Sequence, residues 1–474
     1  STRSAADSGG VGAEGAGAAP IGGFVDRVGD PIAVIDERGG AHRAEDLLAG
    51  ALRDIADVAL GGRRRPPAPG ARSVGFDGLN RYREDHQLAE ETRTALARLR
   101  KLIADDPERF TRSYFTRLFT LDPSMRDLFP ASLANAASGF HHVVDLVLEV
   151  APEPTGHDEA IEVLAQLGRD HRKYGVTAEH YDLAHRALVV ESAMMLGPDW
   201  TPDVAAAVDQ TMGLITGVMS QAAEQATGPA VTRAKIVEKF QINRDNAVIR
   251  LVTEAPLDYL PGQYVEVQIP QWPREWRMLS PSIPANPDRQ LEFHVKAVPG
   301  GTVSKSIVTE SALGDVWSIA QHHGTMTVDT ETPTTMIAGG TGLAPLKALL
   351  LEMCANVSNP PVHLYYGARY PGQLYELTSL QRMAAMNPWL TVTAVSEEST
   401  DPWWLRAVAA PGDLGFRHLI GTLAGAVLHD AEDEPGHWDT RKVLIAGSPQ
   451  MVVATERRLI IEGARASRME HDAI

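Results

Sequence analysis

The residues best placed to do chemistry lie where apolar runs end in glycine. Met336-Ile337-Ala338 runs into Gly339-Gly340-Thr341-Gly342 and then Leu343-Ala344-Pro345-Leu346, an apolar strand entering a glycine turn and a helix. Such a turn aims backbone amides and a helix N-terminus at one point, where a phosphate or other anion is stabilised. Alone, it reads equally well as a tight strand-to-helix connection, and Pro345 stands where the G-x-G-x-x-G dinucleotide fingerprint has its third glycine. Three further segments share its character. Trp276-Arg277-Met278-Leu279-Ser280-Pro281 closes a strand, and Arg277 and Ser280, at i and i+3, suit a phosphate or ring edge. Pro299-Gly300-Gly301-Thr302-Val303-Ser304 offers amides and a hydroxyl at a helix start, and Ala446-Gly447-Ser448-Pro449-Gln450-Met451 again joins strand to helix. Far upstream, His171 shares a helical face with Leu164 and Leu167; a histidine in that setting is more often a satisfied core or surface residue than a metal ligand.

The elements that must position these groups change period along the chain. Ser1 to about Gln87 is rich in small residues, with one short apolar run, Ile32–Ile35, one helical pattern from Glu45 to Ala59, and a basic, proline-rich linker from Gly61 to Gly70. Residues 88–228 show long amphipathic helices, with Pro107, Pro123, Pro130, Pro152 and Pro202 at their expected ends, so short helices at successive angles are expected. Residues 229–332 switch to period two, as in Tyr264–Ile269 and Leu291–Val295, which suggests a small antiparallel barrel. Residues 333–474 alternate apolar strands with helices, the pattern of a doubly wound parallel sheet. The expected fold class is therefore a helical domain, an antiparallel barrel and a doubly wound α/β domain, behind an unassigned extension.

Composition narrows the chemistry. One cysteine, Cys354, excludes a disulfide framework, a cysteine-ligated zinc and an iron–sulfur cluster, so any redox centre is held another way. A net charge of −17 argues against nucleic acid as a partner. No apolar run is long enough to span a bilayer, and Ser1–Pro20 lacks the apolar core of a secretory signal, so a cytoplasmic location is expected.

With four motifs in order, residues 230–474 resemble the ferredoxin-NADP reductase-like flavin reductases. Arg277 and Ser280 match that family's R-x-Y-S; Gly300, Gly301, Val303 and Ser304 match G-G-x-V-S; Gly340, Gly342 and Pro345 match G-x-G-x-x-P, with Thr341 between them; and Gly447, Pro449 and Met451 match G-x-P-x-M. Pro261-Gly262-Gln263-Tyr264 also resembles the turn the family places before a barrel strand. The resemblance implies FAD on the barrel, with Tyr264 among its binding residues, and a nicotinamide dinucleotide on the last domain. Leu279 replaces the tyrosine that usually stacks on the flavin ring; leucine packs on a ring but cannot hydrogen-bond the ribityl chain. The carboxylates of Val395-Ser396-Glu397-Glu398, where NADPH users carry phosphate-binding groups, favour NADH over NADPH, with Arg369 near the same edge.

The helical segment resembles the globin domain of flavohemoglobins. The carriers are Ser113–Phe119, Asp122-Pro123, Leu128-Phe129-Pro130, His171, and Tyr181 ten residues later. The resemblance implies haem b with His171 as the proximal iron ligand, Phe129 packed on the porphyrin and Tyr181 supporting the ligand. The family's distal tyrosine falls on Phe115, with Tyr114 one place earlier, about 100° around a helix. Its distal glutamine falls on Gly139, or on Ala136 with a gap, with His141 and His142 as possible substitutes; its proximal glutamate falls on Ala223 beside Glu224. The family implies an oxidoreductase carrying electrons from NADH through FAD to haem and oxidising nitric oxide with dioxygen. Alternatives keep the cofactors but send electrons to oxygen, a quinone or another small acceptor, or make the globin a gas or redox sensor signalling through residues 1–87. Gaseous ligands are the expected partners, and the oligomeric state is not legible.

Overall fold

The computed structural model describes residues 90–129, 133–151, 157–405, 410–432 and 437–472. The expected Ile32–Ile35 strand, the Glu45–Ala59 helix, the proline-rich linker, Pro130 and Pro152 lie outside them.

Six helices form the first part: α1 (Glu90–Asp105), α2 (Pro107–Leu121), α3 (Ala134–Val150), α4 (His157–His171), α5 (Ala178–Leu196) and α6 (Pro202–Gln225). Their starts follow from local chemistry. Asp106 accepts a hydrogen bond from the Arg109 amide ahead of Pro107, and Thr201 accepts one from the Val204 amide ahead of Pro202, so an orphan amide is satisfied where proline already has the helical φ. Pro123 likewise opens a 3₁₀ turn, Pro123–Leu128, capped by Asp122. The buried stripe of α1 (Leu96, Leu99, Ile103) joins Phe110, Leu118, Val144, Leu148, Leu164, Leu188 and Val208 in one core. The closest crossing is α4 on α6: a Cβ on Gly168 would lie 2.1 Å from the Met219 carbonyl oxygen, so only glycine permits it. That crossing fixes α4 one turn before His171.

The second part is a six-stranded antiparallel sheet: β1 (Thr232–Gln241), β2 (Asn246–Thr253), β3 (Tyr264–Gln268), β4 (Trp276–Leu279), β5 (Gln290–Lys296) and β6 (Val316–His323), in the order β4-β3-β6-β1-β2-β5. A bridge between Pro281 and Phe293 joins the two edge strands and closes the barrel. Trp317, Phe293, Ile249 and Val265 fill it. A short helix, α7 (Val303–Thr309), leaves the end of β5.

The third part is a parallel sheet of β7 (Thr334–Gly339), β8 (Val362–Ala368), β9 (Leu390–Ser396), β10 (Arg417–Ile420), β11 (Lys442–Ala446) and β12 (Met469–His471), in the order β10-β9-β8-β7-β11-β12. Helices α8 (Leu343–Met353), α9 (Leu377–Met386), α10 (Leu423–Glu432), α11 (His437–Thr440) and α12 (Pro449–Ile461) accompany it, and two apolar clusters form its cores. The chain moves outward from β7 through β8, β9 and β10, then returns to β11 on the other side of β7. The switch point of the sheet thus lies between β7 and β11, where such folds bind ligands at the carboxyl ends of the strands. The alternation of strands and helices expected for this part is present; β10, β12, α10 and α11 are additional to the sequence reading.

Candidate functional site

His171 is the last residue of α4. Its Nδ1 lies 2.5 Å from the Leu167 carbonyl oxygen, one turn back, so Nδ1–H donates there and the lone pair sits on Nε2, which has no hydrogen-bond partner among the described residues. Burial lowers the pKa of His171, against the opposing pull of the Leu167 carbonyl, and keeps the imidazole neutral. A neutral imidazole with one nitrogen tied to a carbonyl and the other free is a metal-ligand donor. The core of the helical part is aromatic. The Phe129 ring meets Phe115 at 5.3 Å and Phe119 at 5.6 Å, and Tyr114 stacks on Phe140 at 4.2 Å. Phe129, Leu133, Phe140 and Val143 each keep part of their apolar surface uncovered. No cluster of three or more His, Cys, Asp or Glu able to hold a metal occurs among the described residues. One free imidazole nitrogen with incompletely covered aromatic surface fits haem, in which the macrocycle supplies the other iron ligands.

The distal side differs from the simple helical-wheel expectation. Tyr114 and Phe115 are both buried, and both rings reach Phe140, because α2 is covered by α3 on one side and α5 on another. One position of rotation therefore does not carry Tyr114 out of the core. Its hydroxyl has no hydrogen-bond partner among the described residues, and burial raises its pKa, so it remains a neutral donor. Gly139 is buried and offers no amide; the rings of His141 and His142 lie 4.0 Å apart on half-buried positions. On the other side, the Tyr181 hydroxyl is buried without a hydrogen-bond partner among the described residues. Tyr181 borders a cleft of about 190 Å³ with Arg172, Thr177, Ser220, Ala223 and Glu224, but exposed Glu224 turns to Ser220, at 3.4 Å, rather than to Tyr181.

On the barrel, Arg277, Leu279 and Ser280 sit on or just beyond the edge strand β4, all half-buried. Arg277 is held by Glu275 at 3.2 Å and by the Trp276 carbonyl at 2.8 Å, which directs the guanidinium along the strand. The bridge at Pro281 puts Ser280 at the seam with β5, the strand from whose end Gly300 and Gly301 depart. Gly300 has φ +75° and nothing within 4 Å of where a Cβ would stand, so its backbone faces open space. The Ser304 hydroxyl accepts the Val298 amide at 3.2 Å and pins this turn, while Val303 points into the barrel core. Leu279 packs against that core, and buried Tyr264 lies with its ring 5.7 Å from His323. The open backbone at Gly300, the Arg277 cation and the Ser280 hydroxyl fit a flavin diphosphate.

The nicotinamide turns are built from glycines for two reasons. Gly340, at φ +57° with open space beside it, turns the chain and presents its backbone. Gly342 and Gly447 allow close approach: a Cβ on Gly342 would lie 2.3 Å from the Ala446 oxygen, and one on Gly447 would lie 2.1 Å from the Met451 methyl. The β7 and β11 turns thus interlock under Met451, and the first also packs against β5 of the barrel. Thr341 is half-exposed at that turn, whereas Pro345 is buried in α8; Pro449 opens α12 behind the Ser448 cap. A turn of this build at the switch point of a parallel sheet suits a phosphate.

Two buried charge networks were missed by sequence reasoning. Between barrel and parallel sheet, Glu292 accepts from Ser282 (2.6 Å), Arg250 (2.6 Å), Lys347 of α8 (3.0 Å) and His294 (3.2 Å); Lys347 also pairs with Glu376 (3.3 Å), and Tyr375 hydrogen-bonds His294 (3.1 Å). Burial opposes the Glu292 charge, yet these partners together hold its carboxyl far below the usual range. Between α4 and the barrel, Lys173 pairs with Glu266 of β3, while His323 of β6 lies 3.8 Å from both Glu266 and Asp170. The available signal was a charged residue in otherwise apolar strands, Glu266 among valines and Glu292 beside Phe293.

A globin-like helical bundle feeding an antiparallel barrel and a doubly wound domain, each with a fitting cofactor site, defines a globin fused to a flavin reductase. Comparison with known proteins agrees: residues 112–219 match the Globin family, 233–327 the oxidoreductase FAD-binding domain and 336–457 the oxidoreductase NAD-binding domain. The chain is 26% identical over 325 residues to the flavohemoprotein of Bordetella pertussis, covering 64% of this chain and 80% of that protein. It is 31% identical over 227 residues to the ferredoxin--NAD(P)(+) reductase component of a Ralstonia naphthalene dioxygenase/salicylate hydroxylase system, covering 47% and 63%. The flavohemoglobin of Malassezia yamatoensis shares the fold, with TM-score 0.60 and 17% identity over 81% of this chain and 98% of that one. The chain thus joins a Globin domain to oxidoreductase FAD-binding and NAD-binding domains, and it is similar to a flavohemoprotein over most of that protein's length. It is an NAD(P)H- and FAD-dependent oxidoreductase with a haem-binding globin domain. No helix among the described residues is long and apolar enough to cross a membrane.

Proposed function

We propose that the enzyme uses NADH and dioxygen to oxidise nitric oxide to nitrate, with residues 88–228 as the haem domain, 229–332 as the FAD barrel and 333–474 as the nicotinamide domain. FAD held on the barrel would supply two-electron chemistry toward NADH and one-electron chemistry toward haem, and haem held by His171 would supply the iron chemistry for dioxygen. The residues supply position and polarity. His171 offers Nε2 to the iron while Leu167 holds Nδ1–H; Phe129 gives the porphyrin an apolar wall. Tyr114 brings a neutral hydroxyl without another partner to the distal side, and Tyr181 brings one to the opposite side. Arg277, Ser280 and the Gly300–Gly301 turn bind the flavin, and the Gly340–Gly342 turn under Met451 binds the dinucleotide. Exposed Glu397 and Glu398 at the carboxyl end of β9 repel a 2′-phosphate, which favours NADH.

The observation that carries this reading is the free Nε2 of His171 at the end of α4, in a helical part whose aromatic core leaves Phe129 and Phe140 partly uncovered. Its test is NADH- and oxygen-dependent nitric oxide consumption by haem-loaded protein. Turnover no faster than that of His171→Ala would sink it. A second reading, electron delivery to oxygen or a quinone, draws support from Gly139, which leaves the distal side without a side-chain amide. NADH oxidation that is indifferent to nitric oxide but rises with added quinone would select it.

A further inference from the structure

The end of α4 is held from outside the helical part. Asp170 and Lys173 flank His171 in sequence, and both reach the barrel: Lys173 forms a buried ion pair with Glu266, and Asp170 faces His323 at 3.8 Å. Glu266 and His323 stand on adjacent strands, β3 and β6, with Tyr264 paired to His323 in the ladder. His323 also lies 3.8 Å from Glu266, so Lys173, Glu266, His323 and Asp170 form a chain of alternating bases and acids across the seam.

Further contacts carry the grip through the same turn. The Lys173 ammonium lies 5.0 Å from the Tyr174 ring centre and 5.6 Å from that of Trp276 on β4. Tyr174 in turn stands edge-on to Trp276 at 6.4 Å and to His171 at 6.0 Å. Gln166 bonds Gln321 of β6 at 3.3 Å, and Arg172 donates to the Gly228 carbonyl at 2.7 Å. Every residue from Asp170 to Tyr174 thus belongs to this contact set or, as His171 does, touches it.

We propose that Glu266 and His323 of the FAD barrel are positioning residues for the haem ligand, acting through Lys173 and Asp170 to set the orientation in which His171 presents Nε2. The ligand's second shell is then shared between two parts of the chain, with Leu167 holding Nδ1 from within α4 and the barrel holding the turn that follows. A change in the barrel at Glu266 is felt at the iron without any change in the helical core. This inference rests on His171 being the iron ligand.

The experiment is resonance Raman of the full-length, haem- and FAD-loaded ferrous protein, read at the iron–histidine stretching band. Glu266→Gln, nearly isosteric, is expected to shift that band while leaving the flavin absorbance in place; Lys173→Arg in an otherwise wild-type chain, which keeps the pair, is expected to hold the wild-type position. His323→Asn supplies a second, independent shift should Glu266→Gln fail to fold. A band unmoved in each variant that folds and retains its Soret absorbance would overturn the inference, as would a flavin shift with the band unmoved. Loss of the band in His171→Ala supports the ligand assignment separately; persistence of the band in that variant would overturn the assignment itself, and the inference with it.

Discussion

Glu292→Gln tests the energetics of the seam between barrel and parallel sheet. The substitution preserves shape but removes a buried carboxylate that serves Ser282, Arg250, Lys347 and His294. Removing one partner of a buried ion pair costs about 3–5 kcal/mol, because the other charge is left uncompensated. Here two partners have alternatives: Arg250 is half-exposed and also pairs with Glu238 at 2.7 Å, and Lys347 keeps Glu376 at 3.3 Å. The low end, about 3 kcal/mol, is therefore expected. For a unit of this size each kcal/mol moves the midpoint about 2–4 °C, giving a fall of about 6–12 °C. A chain with several cofactor-bound parts does not unfold in two states, so the assay is FAD release by fluorescence, with both proteins heated at one rate. Adding Lys347→Met should cost less in the Glu292→Gln background than in wild type. The carboxyl is depressed in the folded protein, so its contribution is full above the unfolded value near 4.3 and is lost as pH falls through the folded one. The gap between the proteins must accordingly narrow below about pH 4.3. A midpoint change under about 2 °C at neutral pH, where about 6 °C is the least expected, or a gap that widens in acid, would refute the reasoning.

Gly342→Ala places a Cβ 2.3 Å from the Ala446 oxygen and 2.5 Å from the Gly447 amide nitrogen, both backbone atoms that cannot swing aside. The interlocked turns must separate by most of an ångström, and flavin reduction by NADH, followed by stopped-flow bleaching, should slow by up to about 100-fold with FAD still bound. Glu397→Ser combined with Glu398→Arg should move the NADPH-to-NADH ratio of kcat/KM by at least about tenfold toward NADPH, the equivalent of 1.4 kcal/mol. Tyr114→Phe breaks no hydrogen bond inside the protein, so the melting temperature should hold. Dioxygen release, by flash photolysis, should quicken about five- to tenfold for one lost hydrogen bond of about 1–1.5 kcal/mol.

How much of this was legible beforehand depended on whether a feature is local. The glycine turns were readable because strand, turn and helix are contiguous, and the Pro107 and Pro202 starts because caps act within a few residues. The strand Leu291–Val295 shows where such reading stops. Its alternation correctly separates Leu291, Phe293 and Val295, inside the barrel, from Glu292 and His294 on the other face. Period two gives a strand its faces but is silent about what covers them, and polar residues on the outer face ordinarily meet water. Here α8 and the segment before α9 cover that face, so Glu292 and His294 are buried, and besides Ser282 and Arg250 their partners Lys347, Glu376 and Tyr375 arrive from positions more than fifty residues away in the chain. Glu266 and Lys173 obey the same rule across the other seam, ninety-three positions apart. A single charged residue in an apolar strand is thus a sign of a covered polar face, and it marks both surfaces through which the barrel holds its neighbours.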